Sequence, residues 1–198
     1  MPKIATQTSD FDFTVKQVPL FDEQGRRSGF FGNQRSDTGG ILGVTSDRYG
    51  IVQHGSLIEA AEEGFENAGL GAFERNVYVT GDGARMRAHY DFKSQTRALR
   101  REDRQVGDEM GLRLTLQNSF DRSLRVSFAL GMLRLVCTNG MTTLESEVSM
   151  TKKHSANVET NFLEDAIKKA VGNWDTAIKK VESLTQRTIE HEQGLTIL

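Results

Sequence analysis

Between residues 112 and 130 the chain alternates apolar and polar side chains twice over, and that pattern limits its fold more than any other stretch. Leu112, Leu114 and Leu116 alternate with Arg113, Thr115 and Gln117; after a polar turn at residues 118–123, Leu124, Val126, Phe128 and Leu130 alternate with Arg125, Ser127 and Ala129. Successive side chains of a strand leave opposite faces, so a period of two predicts two half-buried strands on one core. The following run, residues 132–137, is almost wholly apolar and holds the single cysteine, Cys137. It reads as a central strand ending at Asn139-Gly140, a pair that tolerates positive φ.

The same period appears upstream. Residues 76–80 and 84–92 flank Gly81-Asp82-Gly83 and predict a hairpin, in which Met86, Ala88, Tyr90 and Phe92 share one face and Arg85, Arg87, His89 and Asp91 the other. That second face is basic. Residues 93–104 continue the charge with Lys93, Arg97, Arg100, Arg101 and Arg104 but have no clear period, which predicts an exposed loop or weak helix. Basic clusters of this kind suit a phosphate-rich partner, and they also serve solubility alone.

Two helices are expected. Ser56 and Glu59 have capping-box spacing ahead of an apolar face formed by Leu57, Ile58, Ala61 and Phe65, and Gly69 is placed to end that helix; Glu59, Glu62, Glu63 and Glu66 read as its solvated face. From Thr160 onward Leu163, Ile167, Trp174, Val181 and Leu184 lie on a stripe stepping by threes and fours, which predicts a long amphipathic helix. That stripe has two uses: packing on the domain's own sheet, or oligomerisation against another subunit. Near the start, residues 1–12 read as a flexible terminus, residues 13–21 as an edge strand interrupted by Pro19, residues 25–40 as a Gly- and Arg-rich loop, and residues 41–45 and 50–53 as two strands. The expected fold is α+β: an antiparallel sheet of hairpins from residues 41–53, 76–92 and 112–137, one short packed helix and the C-terminal helix, divided as a core domain over 13–156 and a helix over 157–192.

Composition excludes several classes. At 198 residues and 37% hydrophobic content the chain supports one well-packed domain, and one cysteine forms no internal disulfide. With neither a long apolar run nor a leader, a cytoplasmic protein outside the membrane is expected. His54, His89, His154 and His191 are scattered and show no metal-ligand spacing, Cys137 reads as a core residue, and phosphate-binding glycine loops are missing, so neither metal, cofactor nor catalytic residue is expected. Glu145 and Glu147 are a weak pair for acid–base work.

Arg35-Ser36-Asp37-Thr38, Leu42-Gly43-Val44-Thr45-Ser46-Asp47-Arg48-Tyr49, Asn118-Ser119-Phe120-Asp121, Arg134-Leu135-Val136-Cys137-Thr138-Asn139-Gly140-Met141 and Lys153-His154-Ser155 together resemble the phage/plasmid-like protein family of uncharacterised function. The resemblance implies a mobile-element setting and brings no catalytic residues. Two functions are therefore expected in alternative. The first is a protein that binds single-stranded DNA without sequence preference through Arg85, Arg87, Lys93, Arg97, Arg100, Arg101 and Arg104, annealing or protecting strands as a homo-oligomer; the second is an interaction protein that inhibits a host factor through the acidic helix or the 25–40 loop.

Overall fold

The computed structural model describes residues 4–8, 10–99, 108–134, 148–155 and 162–185. In chain order the elements are β1 (Ile4–Thr8), β2 (Val15–Phe21), β3 (Arg27–Arg35), β4 (Ile41–Thr45), α1 (His54–Asn67), β5 (Glu74–Thr80), β6 (Arg85–Leu99), β7 (Asp108–Ser119), β8 (Val126–Arg134), β9 (Val148–Lys152) and α2 (Phe162–Thr185). They form a six-stranded sheet in the order β1-β5-β6-β7-β8-β9 and a three-stranded sheet in the order β2-β3-β4. All described pairings are antiparallel except β1 with β5. The fold is α+β, as expected.

The alternating residues do what their period demands. Met86, Ala88, Tyr90 and Phe92 of β6, Leu112, Leu114 and Leu116 of β7, and Phe128, Leu130 and Met132 of β8 join one buried cluster with Leu57, Ile58, Ala61 and Phe65 of α1. Leu163, Ile167, Ala170, Trp174 and Ala177 of α2 belong to the same cluster, so both helices cover one face of the large sheet. Of the two packings open to the α2 stripe, the single chain contains the one on its own sheet. Leu163 and Ile167 are 1% exposed and Trp174 3%; Val181 is packed at the cluster's edge. Leu184 lies in α2, its side chain outside the described residues.

Several expectations are corrected. Residues 41–45 leave the large sheet for the small one, and residues 50–53 are not a strand but lead directly into α1. Most of the supposed 25–40 loop is β3, whose Asn33 is fully buried at a sheet-to-sheet junction. The 1–12 segment contributes β1, paired with β5. The capping box is not used: α1 starts two residues earlier behind Gln53, which makes no cap bond. Instead the Gln53 amide behaves like a neighbouring strand, accepting from Val15 N at 3.0 Å and donating to Val15 O at 2.8 Å. Glu62 is not solvated either; it is 7% exposed and ion-paired to Arg75 at 2.7 Å, because a carboxylate turned toward a core needs a charged partner. Finally, the 93–104 stretch is not all loop: β6 runs on to Leu99, across a register break between Phe92 and Thr96.

Candidate nucleic-acid interface

With both helices on one face, the other face of the large sheet is left to polar side chains. On β6 these are Arg85, Arg87, His89 and Asp91; register sets Thr80, Tyr78, Asn76 and Glu74 of β5 opposite them on one side, and Ser119, Gln117, Thr115 and Arg113 of β7 on the other. Toward the 81–83 turn this face hollows into an open groove of about 460 Å³, lined by Tyr78, Thr80, Arg85, Met86, Arg87, His89 and Leu124.

The cations of the face differ in what they are free to do. Arg113 is held by Asp91 through two bonds of 2.5 and 2.6 Å, and Arg85 donates to Asp121 Oδ2 at 2.7 Å. Arg87 is exposed and makes no ion pair among the described residues. His89 sits beside Thr115 Oγ1 at 3.1 Å and edge-on to Tyr78 at 5.9 Å. Burial pushes its pKa down to about 4, with the nearby Arg113 and Arg87 charges adding to the effect, so the ring is neutral at pH 7. Tyr78 is 41% exposed. The face therefore offers, among the described residues, the free guanidinium of Arg87, an aromatic ring with an accessible surface and several neutral hydrogen-bonding groups.

The expected basic residues are brought together only in part. Arg85 and Arg87 stand on this face. Lys93 falls inside the register break, and Arg97 is set opposite Met110 rather than in line with the Arg85–Arg87 positions. Arg100, Arg101 and Arg104 lie outside the described residues, as do Cys137, Glu145 and Glu147. Sequence reasoning missed Tyr78 and Asp121. For Tyr78 a signal exists: once the 81–83 turn fixes the hairpin register, Tyr78 must stand across from Arg87.

Four of the five short motifs contribute residues elsewhere, to the junction where the small sheet meets the end of the large one; residues 135–141 of the fifth lie outside the described residues. Asn33 Nδ2 donates to Phe120 O at 2.6 Å, Arg35 Nη1 to Asp82 O at 2.7 Å and Tyr49 OH to Ser119 O at 2.7 Å. His154 stacks on Tyr49 with ring centroids 4.7 Å apart. Arg35 covers the Phe13 ring at 3.7 Å, and Phe13 and Phe120 flank His54. Two glycines permit this closeness: a Cβ on Gly43 would lie 2.6 Å from Asp121 Cα, and one on Gly83, where φ is +106°, would lie 2.6 Å from Phe13 Cζ. His54 is fully buried; its Nδ1 accepts from Asn118 Nδ2 at 3.0 Å, which leaves Nε2–H to donate to Gly83 O at 3.1 Å. The motif residues described at this junction thus form a structural lock between the sheets.

Among the described residues no group of His, Cys, Asp and Glu forms a metal site, and no helix is long and apolar enough to cross a membrane. No curated protein and no solved structure matches the chain. A family model described as Domain of unknown function (DUF932) matches residues 41–198.

Proposed function

On the premise that the chain belongs to this uncharacterised family, Domain of unknown function (DUF932), we propose that its open sheet face binds single-stranded nucleic acid, DNA in the first instance, without sequence preference. The observation that supports the reading is that exposed Tyr78 stands across β5 and β6 from Arg87, which has no ion pair among the described residues, both lining the groove. Any base has a π-face to lay on a tyrosine, and any nucleotide has a phosphate for an arginine, so a ring next to a free guanidinium grips a strand without reading it. The setting that goes with this reading is cytoplasmic and on a mobile element, where single strands arise and are annealed or protected. An oligomer would present several such faces to one strand.

The alternative, a protein that binds and inhibits a host factor, draws on the acidic side of α1, where Glu59, Glu63 and Glu66 are exposed. Fluorescence anisotropy with labelled single strands of scrambled sequence separates the two. Equal binding of all strands at low salt supports the proposal; absence of binding removes it and leaves the acidic helix as the surface to test.

A further inference from the structure

Apart from Tyr78, every large hydrophobic side chain exposed among the described residues belongs to the small sheet: Phe21 at 55%, Phe30 at 56%, Ile41 at 47% and Val44 at 49%. Most of them share one face. Val18 and Val44 pair with Gly32 from either side, a Cβ on Gly32 would meet Ile41 at 2.9 Å and Leu20 at 3.3 Å, and Phe30 precedes Gly32 by two residues. The opposite face of this sheet carries Val15, Asn33 and Thr45, buried against the junction. One side of the small sheet is thus buried against the junction, and the other, apolar, side is left uncovered by the described residues.

We propose that this uncovered face is a self-association surface that packs on the same face of a second copy of the chain. This surface is separate from the open face of the large sheet and from whatever that face binds. Phe30, Ile41 and Val44 at about half exposure, with half-buried Val18 and Leu20 and the end of Phe21, offer on the order of 400 Å² of apolar surface; a standard interface needs about 800 Å² per partner, a little over half of it apolar. One small-sheet face therefore supplies about the apolar share that one side of a dimer requires, leaving the rest to the polar rim.

Charge selects the occupant. The β2–β3 hairpin carries Asp22 and Glu23 against Arg26 and Arg27, with Asp22 and Arg26 joined at 2.8 Å, and Lys16 is the one further charge on β2. With two acidic and three basic groups the rim is close to neutral and offers little field for a polyanion or for a strongly charged protein. A copy of the same face matches it in both apolarity and neutrality, and a two-fold contact asks only that one patch complement itself. Sheets stack in this way with their inner side chains interdigitated, about 10 Å apart.

Sedimentation equilibrium from low micromolar to submillimolar protein tests the proposal, comparing the native chain with Phe30→Glu combined with Val44→Glu. The expected result is a native mass approaching twice the monomer as concentration rises, with the double variant monomeric throughout and its circular dichroism unchanged, since both side chains are exposed. A native chain that stays monomeric, or a variant that assembles like the native chain, overturns the proposal. Should the variant lose its sheet signal, Phe30→Cys in a Cys137→Ser chain decides: a flexible bis-maleimide should link two copies through position 30 and not through a Glu63→Cys control on α1. Equal linking at both positions overturns it as well.

Discussion

Tyr78 and Arg87 stand directly across from each other on β5 and β6, which sends ring and guanidinium out of the same uncovered face. Directly paired residues have Cβ atoms about 5 Å apart, so one nucleotide spans both. Removing the ring in Tyr78→Ala should weaken single-strand binding by about 1–3 kcal/mol, the usual range for a base stacked on an aromatic side chain. Tyr78→Phe keeps the π-surface and should bind nearly as the native chain does. Anisotropy titrations of the two variants check this, and equal loss in both would show that the hydroxyl, not the ring, makes the contact.

The sheet junction should be pH-sensitive through His54. Burial pushes its folded-state pKa from 6.5 down to about 4, and protonating Nδ1 would set two donors, that nitrogen and the Asn118 amide, against each other. Between those two values the unfolded chain binds a proton that the folded one refuses. Stability supplied by neutral His54 is therefore complete above pH 6.5 and lost as pH falls toward about 4. The limiting slope is about 1.4 kcal/mol per pH unit for one group. Urea denaturation across that window should show a shallower slope for His54→Gln than for the native chain, whatever the variant's overall stability; identical slopes would mean that His54 titrates normally.

Helices α1 and α2 meet closely at Gly64, where an added Cβ would overlap Ile167 Cδ1. In Gly64→Ala the new methyl pushes on the movable end of Ile167, and that overpacking is opposed by alanine's better helix propensity, about 1 kcal/mol, so the net change should be small, within about 1 kcal/mol. Ile167→Val deletes the clashing methyl and should cost about 0.5–1.5 kcal/mol alone. Together the two should be less destabilising than their sum, which a double-mutant cycle by thermal or urea unfolding measures. Additivity would mean that the helices do not touch there. By the same packing, Trp174→Ala should cost about 3–5 kcal/mol of stability rather than only loosen an oligomer.

The strands with clean alternation were legible in the sequence because one buried face is all that a period of two encodes. That covers β5 through β8, the core residues on them and the basic positions Arg85 and Arg87. The small sheet was legible only in part: β2 and β4 fall in the stretches read as strands, 13–21 and 41–45, but β3 and the pairing of the three into a separate sheet were not foreseen. Its strands carry Gly29, Gly32 and Gly43, and Asn33 is buried only because Phe120, 87 residues away, accepts its hydrogen bond at 2.6 Å. Nothing local announces such a partner. Gln53 and Glu62 misled for the same reason, each satisfied by a residue distant in sequence. The α2 stripe was recognised, but a stripe records only that a face is covered, and it took Gly64 and the strand residues of the core cluster to show what covers it.

The central claim, that the open face holds a strand by its phosphates, is tested most directly by the salt dependence of single-strand affinity in the native chain and in Arg87→Glu. Each neutralised phosphate contributes about −0.7 to the slope of log affinity against log salt for single strands. The native chain should bind at low salt with a clearly negative slope, equal for scrambled sequences. Arg87→Glu should bind more weakly on every sequence alike, with a slope shallower by about 0.7. A native chain that does not bind even at low salt, or a variant matching its affinity and slope, would contradict the account.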